Sequence, residues 1–212
     1  MRRSDSPPSA PPRSLPPVEK LAWPGSTLLA PIPPVLVSCG GFDGLKANLI
    51  TVAWAGIVCS QPPMLSISVR PERFSHATLL KTGEFVVNLP TAAMAAAVDW
   101  CGVVSGRQED KFARTGLTAA AATTLRTPIV QEAPVSLECR VLRTLELGSH
   151  TLFLAEIAAL QVTKSLVDAK GRLCLEKADL LAYAHGHYFS LGECLGHFGF
   201  SVRKKPGPTI RR

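Results

Sequence analysis

Asn48-Leu-Ile-Thr-Val-Ala-Trp-Ala-Gly-Ile-Val-Cys-Ser-Gln-Pro-Pro-Met-Leu-Ser-Ile-Ser-Val-Arg70 reads as two strands, 49–58 and 64–70, joined at Gln61-Pro62-Pro63. Side chains alternate across a strand, so Met64, Ser66, Ser68 and Arg70 share one face, and Leu65, Ile67 and Val69 share the other. One face is apolar; the opposite face leads through two hydroxyls to a guanidinium. Pro71, Arg73, Ser75 and a helical run follow. Hydroxyls, an arginine and a helix start in succession suit a phosphate group. The same alternation also fits an amphipathic strand with a solvated face.

Working outward, residues 34–39 form a strand that ends in the turn Gly40-Gly41-Phe42-Asp43-Gly44. Ser75 is placed to cap a short helix over 75–81, closed by Thr82-Gly83. Residues 84–89 are another strand, and an Ala-rich helix is expected over 91–100. Ser105-Gly-Arg-Gln108 has capping-box spacing and is expected to start a helix carrying Lys111, with Thr115-Gly116 as its stop. The clearest hairpin joins strands 135–147 and 150–163 through Gly148-Ser149. A helical stretch is expected over 176–183. Six or seven strands with hairpin turns and short helices point to an antiparallel barrel with helical insertions. Neither GxGxxG nor GxxxxGK[ST] is present, so a nucleotide-like ligand would be held by barrel loops.

The chain has 212 residues and a net charge of +7, which resembles a nucleic-acid signal until it is located. Arg2, Arg3, Arg13, Arg203, Lys204, Lys205, Arg211 and Arg212 lie in the tails, and residues 19–202 carry 15 basic and 15 acidic side chains. A neutral body argues against an electrostatic groove for DNA or RNA. The organisation read from composition is a Pro- and Arg-rich arm over 1–18, a domain over 19–202 and a basic tail over 203–212. The six cysteines lack disulfide or CxxC spacing, and no apolar leader or membrane-length run is found. The expectation is a cytoplasmic protein with reduced thiols, no membrane partner and no nucleic-acid partner. His185-x-His187 with Cys194-x-x-His197 fits no standard zinc spacing, so no metal site is assigned.

Seven segments share a further property. They are Asn48-x-x-Thr51-Val-Ala-Trp54, Pro62-Pro63-Met-Leu-Ser-Ile-Ser68-Val-Arg70, Arg73-x-Ser75-His76 and Gly83-Glu-Phe-Val-Val-Asn88-Leu-Pro90. To these add Cys101-Gly-Val-Val-Ser105-Gly-Arg-x-x-Asp110-Lys111-Phe, Gly148-Ser-His150-Thr-Leu-Phe-Leu-Ala-Glu156 and Tyr188-Phe-Ser-Leu-Gly-Glu193 with His197-Phe-Gly-Phe. In this order and spacing they resemble the flavin reductase-like family of FMN-binding split barrels, and within it the flavoredoxin branch.

The resemblance implies a homodimeric, six-stranded split barrel of Greek-key type that binds FMN at the dimer interface. Thr51, Val52 and Ala53 would line the isoalloxazine and ribityl region, with Asn48 nearby. Ser68 and Arg70, with Ser75 and His76, would hold the ribityl phosphate. Ser105, Gly106 and Lys111 match the family's second phosphate-side loop. His150 matches a position near the flavin where nicotinamide stacks in related reductases, and is the one candidate catalytic residue. The backbone at 51–53 can hydrogen-bond the ring edge. Trp54 and Trp100 read as packing residues, and Asn88 as a structural group at a strand end. The implied function is an FMN-dependent oxidoreductase, either an NADH- or NADPH-dependent flavin reductase or a flavoredoxin-type carrier serving a redox protein. The alternative is a non-catalytic flavin- or small-ligand-binding barrel.

Overall fold

Alternation decides which side of each strand is buried. In β4 (Pro63–Val69), Leu65, Ile67 and Val69 are buried while Met64, Ser66 and Ser68 are half-buried, as the spacing requires. The computed structural model describes residues 15–202. Residues 28–192 form one compact unit. The described residues of a second unit are 15–27, without regular secondary structure, and 193–202, with one 3-10 turn at Phe200–Val202. The expected tail at 203–212 and most of the expected arm lie outside the described residues.

The compact unit begins with β1 (Val35–Cys39), β2 (Asn48–Val52), β3 (Ala55–Ser60) and β4. Helix α1 (Phe74–Thr82) and β5 (Glu84–Leu89) follow, then α2 (Ala95–Val103) and α3 (Lys111–Thr115). The short strands β6 (Ala119–Ala120) and β7 (Ile129–Val130) precede the long hairpin β8 (Val135–Glu146) and β9 (Thr151–Val162). Strands β10 (Leu181–Ala184) and β11 (His187–Ser190) close the series. The main sheet is antiparallel with seven strands in the order β2-β1-β5-β8-β9-β4-β3. Ile50 and Val52 from one end share a core with Leu65, Ile67 and Val69 near the other, joined by Phe85 and Phe153. The sheet is therefore curled around its own apolar face.

The expected six strands become seven because the run 49–58 is two strands. β2 pairs with β1, β3 pairs with β4, and these are the opposite ends of the sheet. One unbroken strand cannot serve both partners in this arrangement, so the ladder changes partner at Ala53–Trp54. There the Ser68 N–H donates to the Trp54 carbonyl at 2.9 Å, carrying the β3–β4 ladder up to the break.

The helices also depart from expectation. Arg73, not Ser75, occupies the N-cap of α1, without a side-chain cap bond, while Gly83 closes the helix in the left-handed region. The Ala-rich segment is a 3-10 turn at Ala92–Met94 leading into α2. Ser105 begins a turn, and Asp110 caps α3 by accepting the Ala113 N–H at 3.2 Å. The expected helix at 176–183 is a 3-10 turn at Leu175–Lys177 followed by β10. At 105–110 a hydroxyl marks a helical start but does not say which nearby polar residue receives the free N–H groups.

All of β1 is buried because both its faces are covered. Val35, Val37 and Cys39 enter the barrel core, while Leu36 packs with Leu49, Val98, Cys101 and Phe112 in a second cluster involving α2 and α3. Asn88 is structural, as expected. Its amide donates to the Leu36 carbonyl at 3.0 Å and to Ser38 Oγ at 3.1 Å, and its oxygen accepts from Val130 N–H and Ser136 Oγ. Glu138 is fully buried and accepts from the N–H groups of Thr123, Thr124 and Leu125, Thr124 Oγ1 and Gln161 Nε2. Among the described residues no helix is long and apolar enough to cross a membrane.

Candidate functional site

The chain leaves the polar face of β4 at Arg70 and turns directly into α1, with the Arg73 N–H donating to the Arg70 carbonyl at 3.1 Å. Two adjoining cavities open here. One, about 410 Å³, is lined by Asn48, Ile50, Arg70, Glu72, Arg73, Phe74, Ser75, Val104, Ser105, Gly106, Arg107 and Lys111. The other, about 160 Å³, is lined by Ile50, Thr51, Val52, Ala53, Trp54, Ser68, Val69, Arg70, Arg73 and His150. Ile50, Arg70 and Arg73 border both, so the two form one cleft.

The larger cavity is strongly cationic, with Arg70, Arg73, Arg107 and Lys111 against the single carboxylate of Glu72. Arg73 Nη1 donates to the Gly102 carbonyl at 3.0 Å, and Arg107 Nη1 to the Glu72 carbonyl at 3.3 Å. Arg70 is half-exposed and meets Glu72 at 3.4 Å, an ion pair too open to water to neutralise it strongly. Lys111 is 3% exposed, and its ammonium donates to the Cys101 carbonyl at 2.7 Å. Burial lowers the Lys111 pKa; Cys101 and Cys39 oppose this, and Arg73 adds to it. Burial pushes the Cys39 and Cys101 thiols up to about 11, so both stay protonated at neutral pH.

Gly106 is fitted closely to this wall. A Cβ there would collide with Asn48 Oδ1 and lie 2.7 Å from both Asn48 Cγ and Phe74 Cδ1. Asn48 in turn donates to Ser75 Oγ at 2.8 Å, with both side chains buried. The turn at Ser105–Gly106 therefore presses against a fixed Asn48–Ser75 pair. Thr51 Oγ1 donates to the Val98 carbonyl, which ties β2 to α2. At the narrow end, Trp54 and His150 stack with ring centroids 4.3 Å apart. Burial lowers the His150 pKa, Arg70 adds to the effect, and Glu72 opposes it.

The fold brings together Asn48, Ser75, Ser105, Gly106 and Lys111 in the larger cavity, and Thr51, Val52, Ala53, Ser68 and His150 in the smaller one, with Arg70 in both. Asn48 lies at the cationic end and not beside Val52 and Ala53. Among the predicted residues, only His76 lines neither cavity. Its Nε2 lies 2.8 Å from Thr151 Oγ1, its ring packs edge-on to Phe153, and its N–H donates to the Arg73 carbonyl. Both the ring and the N–H are thus engaged within the fold. Arg73, Phe74, Arg107 and Trp54 are cleft residues that sequence reasoning did not select. The signal for Arg73 and Arg107 was their place inside the quoted motifs; for Trp54 it was its place at the strand break.

The fold and cleft define a curled antiparallel β protein with a cationic cavity next to a narrow cavity walled by strand backbone and aromatic rings. The sequence profile of the Flavin reductase like domain matches residues 29–192, and the chain belongs to that family. Flavoredoxin of Desulfovibrio vulgaris (Miyazaki F) superposes with a TM-score of 0.80 at 31% identity, covering 87% of this chain and 100% of that one. An FMN-binding protein from Thermus thermophilus superposes with a TM-score of 0.66 at 26% identity, covering 84% and 96% of the two chains. An uncharacterized protein of Archaeoglobus fulgidus is 34% identical over 112 residues, 53% of this chain and 63% of that relative. The match to that relative thus spans less than two thirds of its length.

Proposed function

We propose that the protein is an FMN-dependent oxidoreductase that takes hydride from NADH or NADPH, acting as a flavin reductase or as a flavoredoxin-type electron carrier. The observation that carries this reading is the two-part cleft. Four cations against one acid suit a phosphate-bearing tail, and the neighbouring backbone of β2 suits the edge of a planar ring. Bound there, FMN would supply the redox chemistry, accepting hydride and passing electrons on.

The chain's own part is to bind and orient. Arg70 offers a planar fork from the rim, and Arg73 is already held by the Gly102 carbonyl. Lys111 brings a positive charge that water cannot screen well. Ser75 and Ser105 add hydroxyls at the start of α1 and on the facing turn. At the narrow end burial lowers the pKa of His150, which favours the neutral imidazole. The likeness to flavoredoxin and to an FMN-binding protein supports the choice of cofactor.

The test is an absorbance spectrum after addition of FMN, then anaerobic titration with each nicotinamide. Bleaching by NADH or NADPH at catalytic rates supports the reductase. A stable bound flavin reduced only by a redox protein supports the carrier. A protein that takes up no FMN removes the reading. Arg70→Ala is expected to weaken FMN binding by about tenfold, the lower end for a charge-assisted contact because Arg70 is half-exposed. A fluorescence titration of FMN checks it.

A homodimer is part of the same reading. Ile57 and Val58 on the edge strand β3, and Leu142, Leu145 and Leu147 at the end of the β8–β9 hairpin, are exposed. Leu145 pairs with Leu152, and Leu152 with Ser68, so an apolar row runs across the sheet to the cleft wall. A second copy covering that row would border the flavin. Sedimentation equilibrium is expected to give twice the chain mass, and a monomer at micromolar concentration would exclude the dimer.

A further inference from the structure

The two rings at the narrow end of the cleft hold each other in place. Trp54 stands on the break between β2 and β3 and is 43% exposed. Its backbone carbonyl is fixed by the Ser68 N–H, but among the described residues no hydrogen bond holds the indole. His150 stands on a different wall, at the end of the β8–β9 hairpin, with Nδ1 2.9 Å from Ser149 Oγ. Its ring is stacked against Trp54 at 4.3 Å between centroids and 34° between planes. The charged groups around it are Arg70 and Glu72, both exposed on the turn between β4 and α1. Neither charge is positioned firmly enough to orient the imidazole. The indole face is the surface against which the ring packs.

The relative sizes of the two cavities bear on this. The cationic cavity is about 410 Å³ and the narrow one about 160 Å³, although a planar ring is the bulkier part of the proposed ligand. Trp54 and His150 both line the narrow cavity. Their stack therefore forms part of the wall of the narrow cavity.

We propose that Trp54 positions His150, holding the imidazole against the wall of the narrow cavity and thereby controlling how firmly the nicotinamide of a hydride donor is held there. The nicotinamide part rests on the oxidoreductase reading above; the pairing of the rings stands on their geometry. Stacked rings favour offset or tilted contact at this separation, so a phenyl ring can replace the indole but a methyl group cannot. The indole packs against one side of the imidazole, and burial is the leading cause that lowers the His150 pKa.

The experiment uses the full chain with Trp54→Ala and Trp54→Phe. In the protein without FMN, the His150 ring is titrated by NMR. Trp54→Ala is expected to raise its midpoint toward the ordinary histidine value, and Trp54→Phe to leave it near wild type. With FMN bound, Trp54→Ala is expected to raise KM for the better nicotinamide donor about fivefold or more while kcat changes less than about twofold. An unmoved His150 titration in Trp54→Ala overturns the proposal, as does a Trp54→Phe protein that behaves like Trp54→Ala. A fall in kcat with KM unchanged also overturns it. Failure of the wild-type protein to take up FMN would instead remove the oxidoreductase reading and the nicotinamide role, while the NMR comparison would still decide whether Trp54 positions His150.

Discussion

Gly106→Val is expected to abolish useful flavin binding, lowering FMN affinity by at least about a hundredfold, with Gly106→Ala lowering it about tenfold. The first added carbon already collides with Asn48 Oδ1 and crowds Phe74 Cδ1 at 2.7 Å. Asn48 cannot retreat freely, because its amide is held by Ser75 Oγ at 2.8 Å and the pair is buried. The strain must therefore be relieved by moving the Ser105–Gly106–Arg107 turn. That movement shifts Ser105 and Arg107 away from Arg70 and Arg73, and breaks up the cationic cavity. Fluorescence titration with FMN measures the effect, and a denaturant midpoint on the same variants separates loss of the site from loss of the fold. An alanine variant that binds like wild type would show that the turn has room the packing does not suggest.

Glu138→Ala is expected to destabilise the protein by about 3–5 kcal/mol, the largest stability effect proposed here. The side chain is fully buried, and five donors converge on its two oxygens. Truncation leaves the N–H groups of Thr123, Thr124 and Leu125 without their acceptor. Burial raises the carboxyl's pKa, but the donors from Thr123, Thr124 and Gln161 outweigh it and hold the pKa down at about 2. A folded-state pKa depressed below the unfolded value gives stability that is present above about pH 4.5. This contribution fades as pH falls toward about 2, where the folded carboxylate also takes up its proton. Urea unfolding of wild type and variant across pH 2–7 is expected to show two curves that converge at the acid end. A constant gap over that range would place the stabilisation in packing and not in the charge.

The cleft was only partly legible beforehand, and the particular residues show why. Ser68 and Arg70 could be read because strand alternation fixes their direction, and the motif around Gly106 pointed to the facing turn. Arg73 and Arg107 stood inside quoted motifs but could not be assigned, since nothing in local spacing says that α1 and the 105–107 turn face one another. Lys111 was expected on a helix at the phosphate-side loop, but that only 3% of it is exposed could not be read, because the burial arises where α2 and α3 fold over β1 and β2. His76 was carried to the cleft by its place beside Ser75, but it turns to Thr151, a partner 75 residues away.

Periodicity, turn chemistry and charge placement were enough to define an antiparallel β protein with a neutral body, a hairpin at Gly148-Ser149 and an amphipathic strand ending in Arg70. These features depend on residues a few positions apart, whose geometry the backbone alone sets. The tertiary structure decided which strands pair, and so split the 49–58 run at Ala53–Trp54 to join opposite ends of the sheet. It also decided that four cations share one cavity and that Trp54 meets His150. Those outcomes depend on contacts between residues distant in the chain, where burial and long-range pairing outweigh anything local spacing can encode.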